Sequence, residues 1–225
     1  MSLIINIDTA TTEAHVSIAR DGELLHSVSN HSQKDHAAFL QPAIQELARQ
    51  TGIALQAVNA VAVTAGPGSY TGLRVGMASA KGLCYALGIP FITLNSLELL
   101  AASALMSVGQ EKAALLCPMI DARRMEVFTA IYDTNLTLIK APQALVLDAN
   151  SFEEELNAGP VLFFGSGAQK WKDGCTNPNA RFATVEMAPP AMARLSATYF
   201  VAARFTQLAD SEPLYIKEFY FKKSL

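Results

Sequence analysis

The sequence predicts an α/β protein built from two copies of one β-β-β-α-β-α unit, each around a mixed sheet. Three observations carry this. Two apolar strands end in an aspartate, Ile5-Asn6-Ile7-Asp8 and Pro118-Met119-Ile120-Asp121. A hairpin follows each, with turn aspartates at Asp21 and Asp133. Later in each half a strand enters a glycine turn, at Gly66-Pro67-Gly68 and at Gly165-Ser166-Gly167.

The elements follow in order. Leu3–Ile7 is a short β-branched apolar run, the pattern of a buried strand. His15–Ala19 and Leu24–Val28 flank Asp21-Gly22, a strong hairpin signal. His36, Phe39, Leu40, Ala43, Ile44 and Leu47 then form one helical stripe, with Gly52 as its stop. Ser32 and Asp35 offer a capping box. Ala60–Thr64 reads as a strand, the next helix runs through Leu87, Phe91–Leu94 reads as a strand, and Asn95-Ser96 caps a helix to about Val108. The pattern restarts with a strand at Ala114–Ile120 and a hairpin of Val127–Tyr132 and Leu136–Lys140. A short helix at Ser151–Asn157, a strand at Val161–Phe164 and a helix at Ala191–Gln207 complete it. Two such units are the layout of the actin-like ATPase fold, which sugar kinases share. The lobes are expected at 1–108 and 109–225, with the C-terminal segment free to return to the first lobe. A doubly wound dinucleotide-binding fold is the rival. It lacks support because no G-x-G-x-x-G follows the first strand and the hairpins imply antiparallel strands.

Of the 225 residues, 51% are hydrophobic and 16% charged, which excludes a disordered chain. Apolar stretches such as Leu97–Val108 are too short for a membrane span and carry Glu98. A mean hydropathy of +0.23 mildly favours a surface that meets a partner. The net charge of −3 argues against a broad nucleic-acid surface. Met1–Asp8 enters a strand directly, without a secretory pattern, so a cytosolic location is expected. Cys84, Cys117 and Cys175 are odd in number and widely spaced, which fits reduced core thiols.

Four segments could carry chemistry. Asp8 and Thr9 end the first strand where a metal-bound phosphate could sit, or simply cap a turn. Gly66, Gly68 and Ser69 open a helix whose amides attract anions, but no lysine makes a phosphate-binding P-loop of them. Gly165 and Gly167 are the second-half counterparts. Gly72, Gly76, Ala80 and Cys84 give the helix behind the first turn a small face, which either its own sheet or a helix of another chain could fill. His31 and His36 are five apart and off one helical face, so no metal site is expected. Asp121-Ala122-Arg123-Arg124-Met125-Glu126 sets opposite charges at a turn, as an ion-paired turn or an anion site.

With these residues in view the chain resembles the TsaB (YeaZ) family of bacterial tRNA threonylcarbamoyladenosine biosynthesis proteins. The match runs through Ile7-Asp8-Thr9-Ala10, His36 with Leu40-Gln41-Pro42-Ala43-Ile44, and the long stretch Thr64–Gly76 that continues to Leu83. Asp121-Ala122-Arg123-Arg124, Gly165-Ser166-Gly167-Ala168 and Pro213–Lys217 complete it, with Lys217 where arginine is usual. The resemblance implies a non-catalytic scaffold that binds and activates a TsaD-type subunit, the transferase that acts on the adenosine next to the anticodon. It further implies a TsaE-type ATPase as a second partner, indirect contact with tRNA, and a homodimer when the partner is absent. The catalytic relative's H-x-x-x-H ligand pair becomes His36-Ala37-Ala38-Phe39-Leu40 here, so metal is not expected. No cofactor is required, and ATP or ADP is expected only at an interface of the complex. The implied interface is His36, Phe39, Leu40, Ala43, Ile44 and Leu47 on the first helix and Gly72, Leu73, Gly76, Met77 and Ala80 on the second. The rivals are an active ATPase or sugar kinase using Asp8, and a peptidase.

Overall fold

The computed structural model describes residues 2–31, 35–108 and 114–217. Two five-stranded sheets form the framework. The first has β1 (Leu3–Asp8), β2 (Ala14–Arg20), β3 (Glu23–Asn30), β4 (Ala60–Gly66) and β5 (Phe91–Asn95), in the order β3-β2-β1-β4-β5. The second has β6 (Leu115–Asp121), β7 (Glu126–Asp133), β8 (Leu138–Val146), β9 (Val161–Phe164) and β10 (Ala180–Ala183), in the order β10-β9-β6-β7-β8. Read from the third strand of each unit, the two orders are the same. In both, the first three strands form an antiparallel meander and the last two run parallel to the first. The chain thus has the duplicated actin-like fold. The β10 strand and the four-residue helix α5 (Gln169–Lys172) had no counterpart among the expected elements.

The hairpin signal is realised as two left-handed residues, Asp21 at φ 49° and Gly22 at φ 85°, the backbone that a twisted two-residue turn requires. Strand β1 is buried along its whole length because helices cover both faces. Its alternation divides the core in two. Leu3, Ile5 and Ile7 join Leu40, Ile44 and Leu47 of α1 (His36–Thr51) and Met77 and Ala80 of α2 (Tyr70–Leu87). Ile4, with Ala60 and Ala62 of β4, faces Leu99 and Leu100 of α3 (Ser96–Ser107) and Met192 and Leu195 of α6 (Pro189–Val201). The second lobe has its own cluster, in which Phe163 lies 4.8 Å from Trp171 and 5.1 Å from Phe152. A short helix α4 (Glu153–Ala158) closes it.

Helix α6 leaves the second lobe and packs on β1, β2 and β3 of the first, against Gly22. It ends at Val201, short of the expected Gln207; Ala203 takes a left-handed φ of 51° and Phe205 folds back against Phe200. The tail then runs along the first lobe. Thr206 N donates to Phe91 O at 2.8 Å and Leu214 N to Ala65 O at 2.6 Å. Tyr215 stacks on Tyr70 at 5.3 Å and accepts from Arg74 Nε at 3.0 Å. Lys217 reaches the second lobe, 2.5 Å from Glu126.

Helix α1 starts at His36 with Asp35 as its N-cap and no capping side-chain bond. The expected cap Ser32 lies outside the described residues, as does the segment after the expected lobe boundary at 108.

Candidate functional site

The two glycine turns do one job in both lobes: they hold the turn that follows the first strand. Asp8 Oδ1 accepts from Ala10 N at 3.0 Å and from Thr64 Oγ1 at 2.8 Å. Thr9 Oγ1 donates to Gly72 O at 2.8 Å, and Ser69 N donates to Ala10 O at 2.7 Å. A Cβ on Gly68, Gly72 or Gly76 would come within 3.0 Å of Ala10 O, Thr9 O or Thr9 Oγ1. Glycine is needed here for close approach, because α2 lies directly on the turn. In the second lobe Asp121 Oδ1 accepts from Arg123 N at 2.5 Å and Gly167 N donates to Met119 O at 3.0 Å.

The two aspartates differ in surroundings. Asp8 is buried, and that burial raises its carboxyl pKa; the Ala10 amide, the Thr64 hydroxyl and the nearby His15 and His36 pull the other way without overcoming it. Asp121 is exposed at its turn. Slight burial works against its ionisation, but Lys170, the Arg123 amide and the Arg123 charge outweigh it and hold the carboxyl below its usual range.

A cavity of about 410 Å³ lies between the lobes. Thr11, Thr12, Glu13 and His15 line one side, and Gly165, Ser166, Gln169, Lys172, Phe182 and Glu186 the other. Among the expected nucleotide residues, Gly165 borders this cavity; Asp8, Thr9, Gly66, Gly68, Ser69 and Gly167 do not. Asp8 and Thr9 are buried beneath the turn whose next residues, Thr11 and Thr12, face the cavity. Glu13, His15, Lys172 and Glu186 were missed. The first two follow the Asp8 turn closely in sequence, a signal that could have found them; Lys172 and Glu186 reach the cavity only through the packing of the second lobe.

The expected interface faces require a correction of direction. Leu40, Ala43, Ile44, Leu47, Leu73, Met77 and Ala80 are all at most 3% exposed, inside the core of the first lobe. Gly72 and Gly76 press on Thr9, His36 is buried with Nε2 3.1 Å from Thr11 O, and Phe39 is half-buried against the same core. The stripe is apolar because the chain's own sheet covers it. The sides of these helices that reach solvent are different: Ala37, Ala38, Gln41, Pro42 and Gln45 on α1, and Thr71, Arg74, Ala78, Gly82, Tyr85 and Ala86 on α2. Among the described residues no three His, Cys, Asp or Glu side chains are grouped to hold a metal.

Comparison with known proteins places this geometry. The family model described as "TsaD: tRNA N6-adenosine threonylcarbamoyltransferase" matches residues 24–162. The chain is 33% identical to the tRNA threonylcarbamoyladenosine biosynthesis protein TsaB of Bacillus subtilis, over 72% of this chain and 70% of that one. It is 29% identical to the protein of the same name from Escherichia coli, over 95% and 94%. A crystal structure of a Pseudomonas aeruginosa protein described as similar to peptidase YEAZ superposes with a TM-score of 0.84 at 24% identity, covering 96% of this chain and all of that one, and so shares the fold. The chain belongs to the TsaD-like family, among its TsaB (YeaZ) members.

Proposed function

We propose that this chain is the non-catalytic partner subunit of the complex that transfers a threonylcarbamoyl group to the adenosine next to the anticodon of tRNAs reading codons that begin with A. In this reading it works in the cytosol, binds and activates a TsaD-type catalytic subunit, and meets a TsaE-type ATPase in the assembled complex. It pairs with itself when the catalytic subunit is absent. It needs no cofactor of its own, and ATP or ADP belongs at an interface of the complex.

The outward face of α2 carries this reading. Ala78, Gly82 and Ala86 recur every four residues along it, and Tyr85 beside them is 86% exposed. A Cβ on Gly82 would meet nothing within 4 Å. A glycine inside an exposed helix costs about 1 kcal/mol relative to alanine. Nothing among the described residues offsets that cost at Gly82, whereas a helix of another chain lying close against it would. An exposed tyrosine at the centre of such a face is the residue type that anchors interfaces. The interface therefore moves from the buried stripe to the opposite sides of α1 and α2. Leu40, where the catalytic relative carries its second histidine, lies in the core, in keeping with a non-catalytic subunit.

The test is co-purification with the TsaD-type subunit of the same organism, followed by transfer to tRNA with and without this chain. Gly82→Leu and Tyr85→Ala should abolish the complex and the stimulation while leaving the melting temperature of the chain alone near that of the parent. Full stoichiometric recovery of both variants with the partner would refute this face as the interface.

A second reading is an active ATPase or kinase, favoured by the cavity with Thr11, Thr12 and Ser166 on its walls. The Asp8 carboxylate such a reaction needs is buried and already bonded to Ala10 and Thr64. Phosphate release by the isolated chain that is lost in Asp8→Ala would establish that activity.

A further inference from the structure

Arg123 and Arg124 stand where β6 turns into β7, Lys170 and Lys217 reach that turn, and Lys172 follows Lys170 on α5. Two are consumed locally. Lys170 Nζ lies 2.6 Å from Asp121 Oδ1 and donates to Glu126 O at 3.2 Å, and Lys217 Nζ lies 2.5 Å from Glu126 Oε1. These lysines come from α5 and from the tail, so the carboxylates of the Asp121–Glu126 turn are paired with distant segments. Among the described residues, Arg123, Arg124 and Lys172 have no ion pair.

The backbone at the turn adds an independent observation. Arg123 and Arg124 both adopt positive φ, 71° and 50°, and both are exposed. Glycine or asparagine would hold such a turn with less strain, and arginine gains nothing from the conformation itself. Strain retained at two adjacent exposed residues points to a use for their side chains.

Lys172 borders the cavity between the lobes, but Glu13 and Glu186 border it as well. Their charges disfavour an anion inside the cavity and leave the outer rim, at the turn, as the place for it. We infer that this rim, with Arg123, Arg124 and Lys172, is a contact for the phosphate backbone of an RNA. Long, exposed guanidinium and ammonium groups spread over an open turn suit a row of phosphodiesters rather than one enclosed phosphate group. The choice of RNA among polyanions rests on the tRNA-modification reading above. With three cations that form no ion pair among the described residues, the contact is an auxiliary one.

The test measures binding of a labelled unmodified tRNA transcript to the full chain by fluorescence anisotropy between 50 and 200 mM NaCl, conditions that span a strong salt response. Arg123→Asn with Arg124→Asn keeps residues that tolerate the left-handed turn. Lys172→Gln alters a separate segment with ordinary backbone, and Arg49→Gln, from a pair with Glu46 on the first lobe, is the control. The double variant should bind about tenfold to a hundredfold more weakly at the low salt end, with the slope of log K against log salt reduced by about 1.4–1.8. Lys172→Gln should reduce that slope by about half as much, and the control should match the parent. The inference is overturned if the parent chain does not bind the transcript, if both rim variants bind like the parent, if the control loses as much, or if tripolyphosphate binds at these residues and RNA does not. Co-purification of the double variant with the TsaD-type subunit reads the subunit role separately, so either idea can fail alone.

Discussion

Two glycines six residues apart on α2 should respond to alanine with opposite sign. At Gly76 the new methyl would fall on Thr9 Oγ1 and lie 3.4 Å from Val63 Cγ2. Thr9 is fully buried, so its hydroxyl can clear the methyl only by rotating away from Gly72 O, the acceptor 2.8 Å away. Leaving a buried hydroxyl unpaired costs about 1–3 kcal/mol. An off-rotamer side chain adds about 1 kcal/mol. The better helix propensity of alanine returns about 1 kcal/mol. The net expectation for Gly76→Ala is a loss of about 2 kcal/mol, a fall in Tm of about 4–8 °C for a chain of this size. At Gly82 the methyl meets nothing, so the propensity gain of about 1 kcal/mol stands alone and Tm should rise by about 2–4 °C. Calorimetry of both variants beside the parent decides it. A neutral Gly76→Ala would refute the close contact between α2 and the Thr9 turn, and a destabilising Gly82→Ala would show that this glycine is already packed within its own chain.

Three further predictions concern titration, thiols and the tail. The carboxyl of Asp8 titrates above its unfolded value, so the folded chain holds that proton over a pH range where the unfolded chain has lost it. Its burial therefore lowers stability as pH rises from the unfolded value through the folded one; Asp8→Asn, which keeps both accepted hydrogen bonds, should raise Tm at pH 8 and do so less at pH 4. Burial pushes the Cys84 thiol up to about 11 and the Cys117 thiol up to about 12. A thiol reagent at pH 8 should label Cys175 in the native chain and all three cysteines in guanidinium, and rapid native labelling of Cys117 would contradict the packing of β6. Tyr215→Ala removes the stack on Tyr70 and the acceptor for Arg74, and should cost about 0.5–1.5 kcal/mol, with faster proteolytic cleavage between Arg204 and Lys217 as the second readout.

Much of the framework was legible because it is written in local patterns. The strand–aspartate pairs, the Asp21-Gly22 hairpin and the Asn95 cap, which accepts from Leu97 N and Glu98 N, all depend on neighbours in the chain. The stripe on α1 was read correctly as apolar, but periodicity tells which face avoids water and not what covers it. The cover is the chain's own β2 and β3 together with α2, so the partner-facing sides had to be found from exposure. The same limit applies to the Asp121 turn. Its charges suggested an internal pair, yet Lys170 and Lys217 take the carboxylates from far along the chain, and among the described residues the arginines form no ion pair. Strand β10 escaped notice because Ala180–Ala183 is four half-buried or exposed residues beside an Asn-Pro-Asn stretch, too short for alternation to register.

The placement of α6 has a consequence for how the chain is made. During synthesis the first sheet emerges long before residues 189–201, yet those residues cover its β1–β3 face. Until then Ile4, Ala60 and Ala62 lack part of their apolar cover, and the nascent first lobe presents a sticky, half-finished surface to whatever is nearby. Closing it needs contacts between segments more than 150 residues apart, the kind of long-range pairing that slows folding. The two lobes, similar as they are in plan, are therefore not two independent folding units, and a ribosome that stalls before the last helix releases a first lobe that cannot complete its own core.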